Sequence, residues 1–102
     1  MKFRLTLIAL LLFACAAPCF SSETDSAELT LSSKAMRTDY LIDGADWICA
    51  DTFCYAQAVP DMPAVRSCQR VVIKTGSVTR FIWRGRTLNT EELATCNTRA
   101  KV

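Results

Sequence analysis

Six cysteines, at positions 15, 19, 49, 54, 68 and 96, are the residues of this 102-residue chain best suited to chemistry, and no histidine accompanies them. Without an imidazole the chain lacks the side chain that titrates nearest neutrality and most often ligates metals. Histidine-based triads, HExxH zinc sites and Cys/His proteases are excluded on that ground. Ser67, Ser77 and Thr79 have no base partner in the sequence, and Glu91 and Glu92 stand side by side at a helix start rather than opposed across a cleft. The chain reads as a non-enzyme, with no catalytic residue, metal site or cofactor expected.

What the cysteines do depends on where the chain goes. Lys2 and Arg4 precede an apolar run from Leu5 to Phe13, and small residues follow at Ala14, Ala16 and Ala17. These are the three regions of a Sec-type secretory signal peptide, assigned to residues 1–20. The run meets Pro18 and then Ser21, Ser22 and Glu23, short of the roughly 20 apolar residues that span a bilayer. Cleavage after Ala16 and after Cys19 both fit. A lipid-bearing Cys15 in Leu12-Phe13-Ala14-Cys15 is an alternative, opposed by the bulk of Phe13 and the short segment before it.

Export to the periplasm or beyond places Cys49, Cys54, Cys68 and Cys96 in an oxidising compartment, where an even count in a short chain reads as two disulfides. A domain this small buries too little surface to be safe alone, and staples are the usual remedy. Of the three pairings, Cys49 with Cys54 across a hairpin loop and Cys68 with Cys96 between distant elements is favoured. A redox pair would call for C-x-x-C rather than C-x4-C. A four-thiolate zinc site would have close pairs at both ends.

These residues must be positioned by elements, and the sequence punctuates them clearly. Residues 21–36, rich in Ser, Thr and acids, read as a flexible polar spacer, leaving 37–102 as the domain. Tyr40-Leu41-Ile42 and Trp47-Ile48-Cys49 flank Asp43-Gly44, a hairpin signal that Ala45 and Asp46 lengthen beyond two residues. Tyr55 to Met62 reads as a loop. Asp61 as cap, Pro63 in the first turn and Gly76 past the end frame a helix in which Val65, Cys68 and Val72 share a face. The β-branched Val71-Val72-Ile73 would also suit a strand. Val78 to Trp83 alternates with Thr79, Phe81 and Trp83 on one side, and Gly85 turns a second hairpin. Asn89 with Glu92 forms a capping box for the last helix, whose buried stripe is Leu93, Cys96 and Ala100. The order is ββαββα: an α+β domain with an antiparallel sheet and two helices on one face, stapled by disulfides.

Charge is balanced overall but uneven along the chain. Without Lys2 and Arg4 the remainder carries ten bases and ten acids, so no global field favours nucleic acid. Residues 21–61 hold eight acids and two bases, and residues 62–102 the reverse. Between Met62 and Thr90 every charge is positive: Arg66, Arg70, Lys74, Arg80, Arg84 and Arg86. They form a candidate binding face for an acidic envelope protein or anionic lipid, set against neutralisation by the acidic half within the same fold. Trp47, Phe81 and Trp83 are read as packing mass before a ligand platform, and Asn97 as satisfying carbonyls near a helix end or facing solvent.

The spacing W-x-C-x4-C (Trp47, Cys49, Cys54), followed by Cys68, Gly76, Phe81, Gly85 and L-A-x-C-N (Leu93, Ala94, Cys96, Asn97) with Ala100, resembles a family of small exported alphaproteobacterial proteins of the Caulobacter and Sphingomonas kind. The resemblance spans Trp47 to Ala100. It implies an exported domain with four framework cysteines and no assigned activity, and transfers no site residue. The arginines at 80, 84 and 86 and the stretch from Met62 to Ile73 depart from it. Together these readings anticipate a non-enzymatic binding or structural module, with a membrane-associated envelope protein, held by Cys15 or the arginine face, as the alternative.

Overall fold

The computed structural model describes residues 25–100. The segment assigned to export, with Cys15 and Cys19, lies outside the described residues. Eight elements follow in order: β1 (Ala27–Leu31), β2 (Asp39–Ile42), β3 (Ala45–Ala50), β4 (Phe53–Ala56), α1 (Ala64–Thr75), β5 (Val78–Trp83), β6 (Arg86–Thr87) and α2 (Thr90–Asn97). The strands form one sheet in the order β2-β3-β4-β1-β5-β6, every neighbouring pair antiparallel. The α+β class is therefore as the sequence predicts, with six strands where four were expected.

The additional central strand comes from the segment expected to be a spacer. In β1, Ala27, Leu29 and Leu31 are buried while Glu28 and Thr30 face outward. It pairs with β4 on one side, Leu29 opposite Cys54, and with β5 on the other, Leu29 opposite Phe81. The expectation of a flexible polar spacer over 21–36 is thus corrected for 27–31. Three small-to-medium apolar residues at period two carry too little signal to stand out in Ser- and Thr-rich surroundings. A partner on each side supplies the pairing energy that the segment lacks alone.

The loop expected from Tyr55 is shortened for a related reason. Tyr55 and Ala56 belong to β4, with Cys54 and Ala56 inward, and Trp47 pairs with Ala56. The first hairpin turn is also tighter than anticipated. Ile42 pairs directly with Ala45, leaving Asp43 (φ 51°) and Gly44 (φ 82°) as a two-residue loop. Positive φ at both central residues is the turn whose twist matches flanking strands. Arg84 (φ 50°) and Gly85 (φ 86°) repeat the device between β5 and β6. In β5 a register shift opposite Thr30 and Leu31 leaves Thr79 exposed, so Val78 rather than Thr79 takes the inward place.

Both helices cover the same face of the sheet. α1 buries Ala64, Ser67, Cys68, Val71, Val72 and Thr75, so the β-branched run is helical because tertiary burial outweighs its weak strand preference. Asp61 does not cap this helix. Pro63 occupies the N-cap position without a side-chain cap, and its carbonyl accepts from both the backbone N–H and the Oγ of Ser67 at 2.9 Å. Gly76 (φ 102°) ends it, its N–H returning to Val72 O. α2 begins with the expected capping box: Glu92 N–H donates to Asn89 Oδ1 at 2.8 Å and Asn89 N–H to Glu92 Oε1 at 3.0 Å.

Trp47, Phe81 and Trp83 form a stacked row under the helices, with centroids 6.3 and 5.9 Å apart. All three are buried, and Trp83 Nε1 donates to Met62 O at 3.0 Å. They are the packing mass of the core. Cys49–Cys54 joins directly opposed residues of β3 and β4, and Cys68–Cys96 joins α1 to α2 with Cα atoms 5.6 Å apart. All four thiols are paired in the two disulfides that the sequence favours.

Candidate functional site

The six basic residues singled out in the sequence do not share a face. Arg66, Arg70 and Lys74 follow one another at four-residue spacing along the outer side of α1. Arg80 lies on the uncovered side of the sheet, 3.6 Å from Glu28. Arg84, in the last hairpin turn, donates to Val59 O at 3.0 Å and stands 3.8 Å from Asp61. Arg86 pairs with Glu92. Arg70 makes two hydrogen bonds of 2.6 Å to the carboxylate of Asp43. Its guanidinium holds Asp43 below the usual carboxylate range, and Glu92 is lowered first by the Asn89 N–H and then by Arg86. Three of these four pairs join the basic half of the chain to the acidic half.

Lys74 makes no ion pair among the described residues, although its charge adds to the lowering of Asp43 after that of Arg70. It lines a cleft of about 750 Å³ with Lys34, Met36 and Arg37 of the loop between β1 and β2, Tyr40 of β2, and Ile73, Thr75, Gly76 and Ser77 at the end of α1. Three cations border this space and, among the described residues, no acidic side chain does. Among the described residues, none of Lys34, Arg37 and Lys74 forms an ion pair.

Backbone bonds fix the loop that contributes two of the cations. Ser32 N–H donates to Ser77 O, Ala35 N–H to Asp51 O, and Thr38 O accepts from Cys49 N–H, at 2.8 to 2.9 Å. The Arg37 guanidinium lies 5.4 Å from the centroid of the buried Tyr40 ring, within cation–π range. Lys74 is placed by the last turn of α1, where a cation also complements the helix dipole. Hydroxyls are present too: Ser77 Oγ bonds Ser32 Oγ at 3.0 Å at the rim. The arrangement can bind an anion by charge and hydrogen bonding.

Lys34 and Arg37 escaped the sequence reading, which followed the dense run of bases after Met62. Their signal was present, for they are the two bases within the acid-rich residues 21–61. Asn97 has a structural post, bonding the backbone of Val78 on both sides. On the uncovered side of the sheet Ile48, Phe53 and Tyr55 are partly exposed, with the Phe53 and Tyr55 rings stacked at 6.2 Å.

Fold and cleft together define a small disulfide-stapled α+β domain with a cationic ligand-sized cleft. The sequence model of a family of unknown function (DUF8200) matches residues 10–98, and the chain belongs to that family. No curated protein and no solved structure matches it.

Proposed function

We propose that this protein is an exported, non-enzymatic binding module that takes an anionic ligand in the cleft formed by Lys34, Arg37 and Lys74. The observation that carries the reading is the contrast in charge pairing. Arg70, Arg80, Arg84 and Arg86 each have a carboxylate within 4 Å, whereas the three cations gathered at one cleft, like Arg66 on α1, form no ion pair among the described residues. Of the three only Lys74 is near enough to a carboxylate, Asp43, to act on it. Like charges brought together raise the energy of the free protein, and an anion lowers it on binding. The signal-like N-terminus and the two disulfides support export.

Titration of the purified domain with inorganic phosphate, followed by amide NMR, tests the binding reading. Shifts should concentrate at residues 33–37 and 73–77, and vanish in a Lys34→Ala, Lys74→Ala variant. Shifts no larger than those produced by chloride at equal ionic strength would overturn it. Mass spectrometry of the mature N-terminus tests export separately. An unmodified start after Ala16 or Cys19 supports a released protein, and a diacylglyceryl mass on Cys15 supports a membrane-anchored one. An intact Met1 in envelope fractions counts against both.

A further inference from the structure

We infer that the ligand of this cleft is amphiphilic: a phosphate monoester headgroup attached to a linear alkyl chain. The inference rests on the anion-binding reading and adds to it the apolar wall of the same space. Met36 is 88% exposed and Ile73 50% exposed, and both line the cleft with the three cations. One comes from the tied-down loop between β1 and β2, the other from the last turn of α1, on the side of the helix not used for the core.

Size points the same way. A cleft of about 750 Å³ lies within the range, about 300–1,000 Å³, of sites for small organic ligands, and is far larger than a bare oxyanion requires. Two lysines and an arginine suit a headgroup that carries more than one negative charge at neutral pH, and an arginine fork matches phosphate oxygens in pairs. The thioether chain of Met36 adapts its shape to a flexible tail. Such a molecule can be met free in solution or as the headgroup end of a lipid, and the two sources share this chemistry.

The experiment is a series of soluble n-alkyl phosphates from ethyl to decyl, held below their micelle concentrations, titrated into the full domain. A parallel arm uses phosphatidylcholine vesicles with and without phosphatidic acid. Affinity should rise about two- to fourfold for each methylene until the cleft is filled. In a Met36→Gln, Ile73→Gln variant that rise should flatten while inorganic phosphate binding persists. Both positions are exposed, so the fold should tolerate the change. Affinity independent of chain length, with inorganic phosphate still bound, would overturn the amphiphile and leave the anion reading standing. Loss of binding to every phosphate overturns both. Length-dependent binding of the soluble series supports the inference, and added binding to the phosphatidic acid vesicles identifies lipid as the source. Binding to vesicles alone overturns it, because the chain would then not occupy the cleft.

Discussion

The side-chain amide of Asn97 completes the backbone of Val78: Val78 N–H donates to Asn97 Oδ1 at 2.9 Å, and Asn97 Nδ2 donates to Val78 O at 2.8 Å. β6 reaches only as far as Ile82 and Trp83 along β5, so the opposite end of β5 lacks a strand on that side. The last residue of α2 takes the place of a strand neighbour, one residue after the Cys96 bridge sets its position. The reciprocal pattern also fixes the orientation of the amide, since only one of its two orientations satisfies both backbone groups.

Asn97→Ala should therefore destabilise the domain by about 1–3 kcal/mol, because both polar groups of a largely buried strand end lose their partner. Asn97→Asp should recover little, since a carboxylate can accept from Val78 N–H but cannot donate to its carbonyl. Urea denaturation of the three proteins checks the order; an Asp variant as stable as the parent would contradict it.

Removing the Cys68–Cys96 bridge should cost more than removing Cys49–Cys54. On the chain-entropy account the longer loop contributes about 3.5 kcal/mol and the hairpin loop about 2 kcal/mol. Cys49 and Cys54 are already held opposite each other by strand pairing, whereas Cys68 and Cys96 connect two helices. Thermal midpoints of the two double-alanine variants without reductant give the comparison, and equal midpoints would refute the ordering.

Leu29→Ala should cost about 2–5 kcal/mol, the ordinary consequence of deleting a fully buried leucine side chain. Truncation to begin at Lys34 should abolish cooperative unfolding, since β4 and β5 would lose the strand between them. A truncated protein that melts as sharply as the parent would show that the segment is dispensable after all.

Acid should weaken the fold through Asp43 and Glu92, whose carboxyls sit below their ordinary values. A lowered folded value means that the native state binds fewer protons than the unfolded chain. The stabilisation is then present above about pH 4–5 and is lost as pH falls through the folded values. Asp43→Asn should flatten the acid limb of a stability profile measured from pH 7 to pH 2. A profile unchanged by this substitution would assign the effect elsewhere.

Lys34→Ala should leave stability within about 0.5 kcal/mol of the parent, as expected for an exposed residue without an ion pair, and Lys74→Ala should cost at most about 1 kcal/mol through the helix dipole and its attraction to Asp43. A loss above about 1 kcal/mol in denaturant would assign the lysines to the fold rather than to the cleft.

Some features were legible because they are local. The capping box at Asn89 and Glu92 sits at fixed spacing, Gly76 ends α1 where a positive φ is needed, and the Cys49–Cys54 hairpin closes on itself. Others were misread where two signals compete over a few residues. Asp61 looked like a cap because it precedes a proline by two residues, yet it lies beside Arg84. Thr79 kept a perfect alternation on paper that the register shift opposite Thr30 and Leu31 broke.

By itself, then, the order of residues determined what depends on near neighbours: the capping box of Asn89 and Glu92, the glycine that ends α1 and the Cys49–Cys54 hairpin bridge. The tertiary structure decided what depends on distance. Strand β1 exists because β4 and β5 lie on either side of it, and its own three apolar residues were too few to announce it. The basic residues divided into paired and unpaired sets only when folding brought Asp43 to Arg70 and Lys34 and Arg37 to Lys74. Coulombic interaction falls with separation in space, and separation along the chain does not fix that distance.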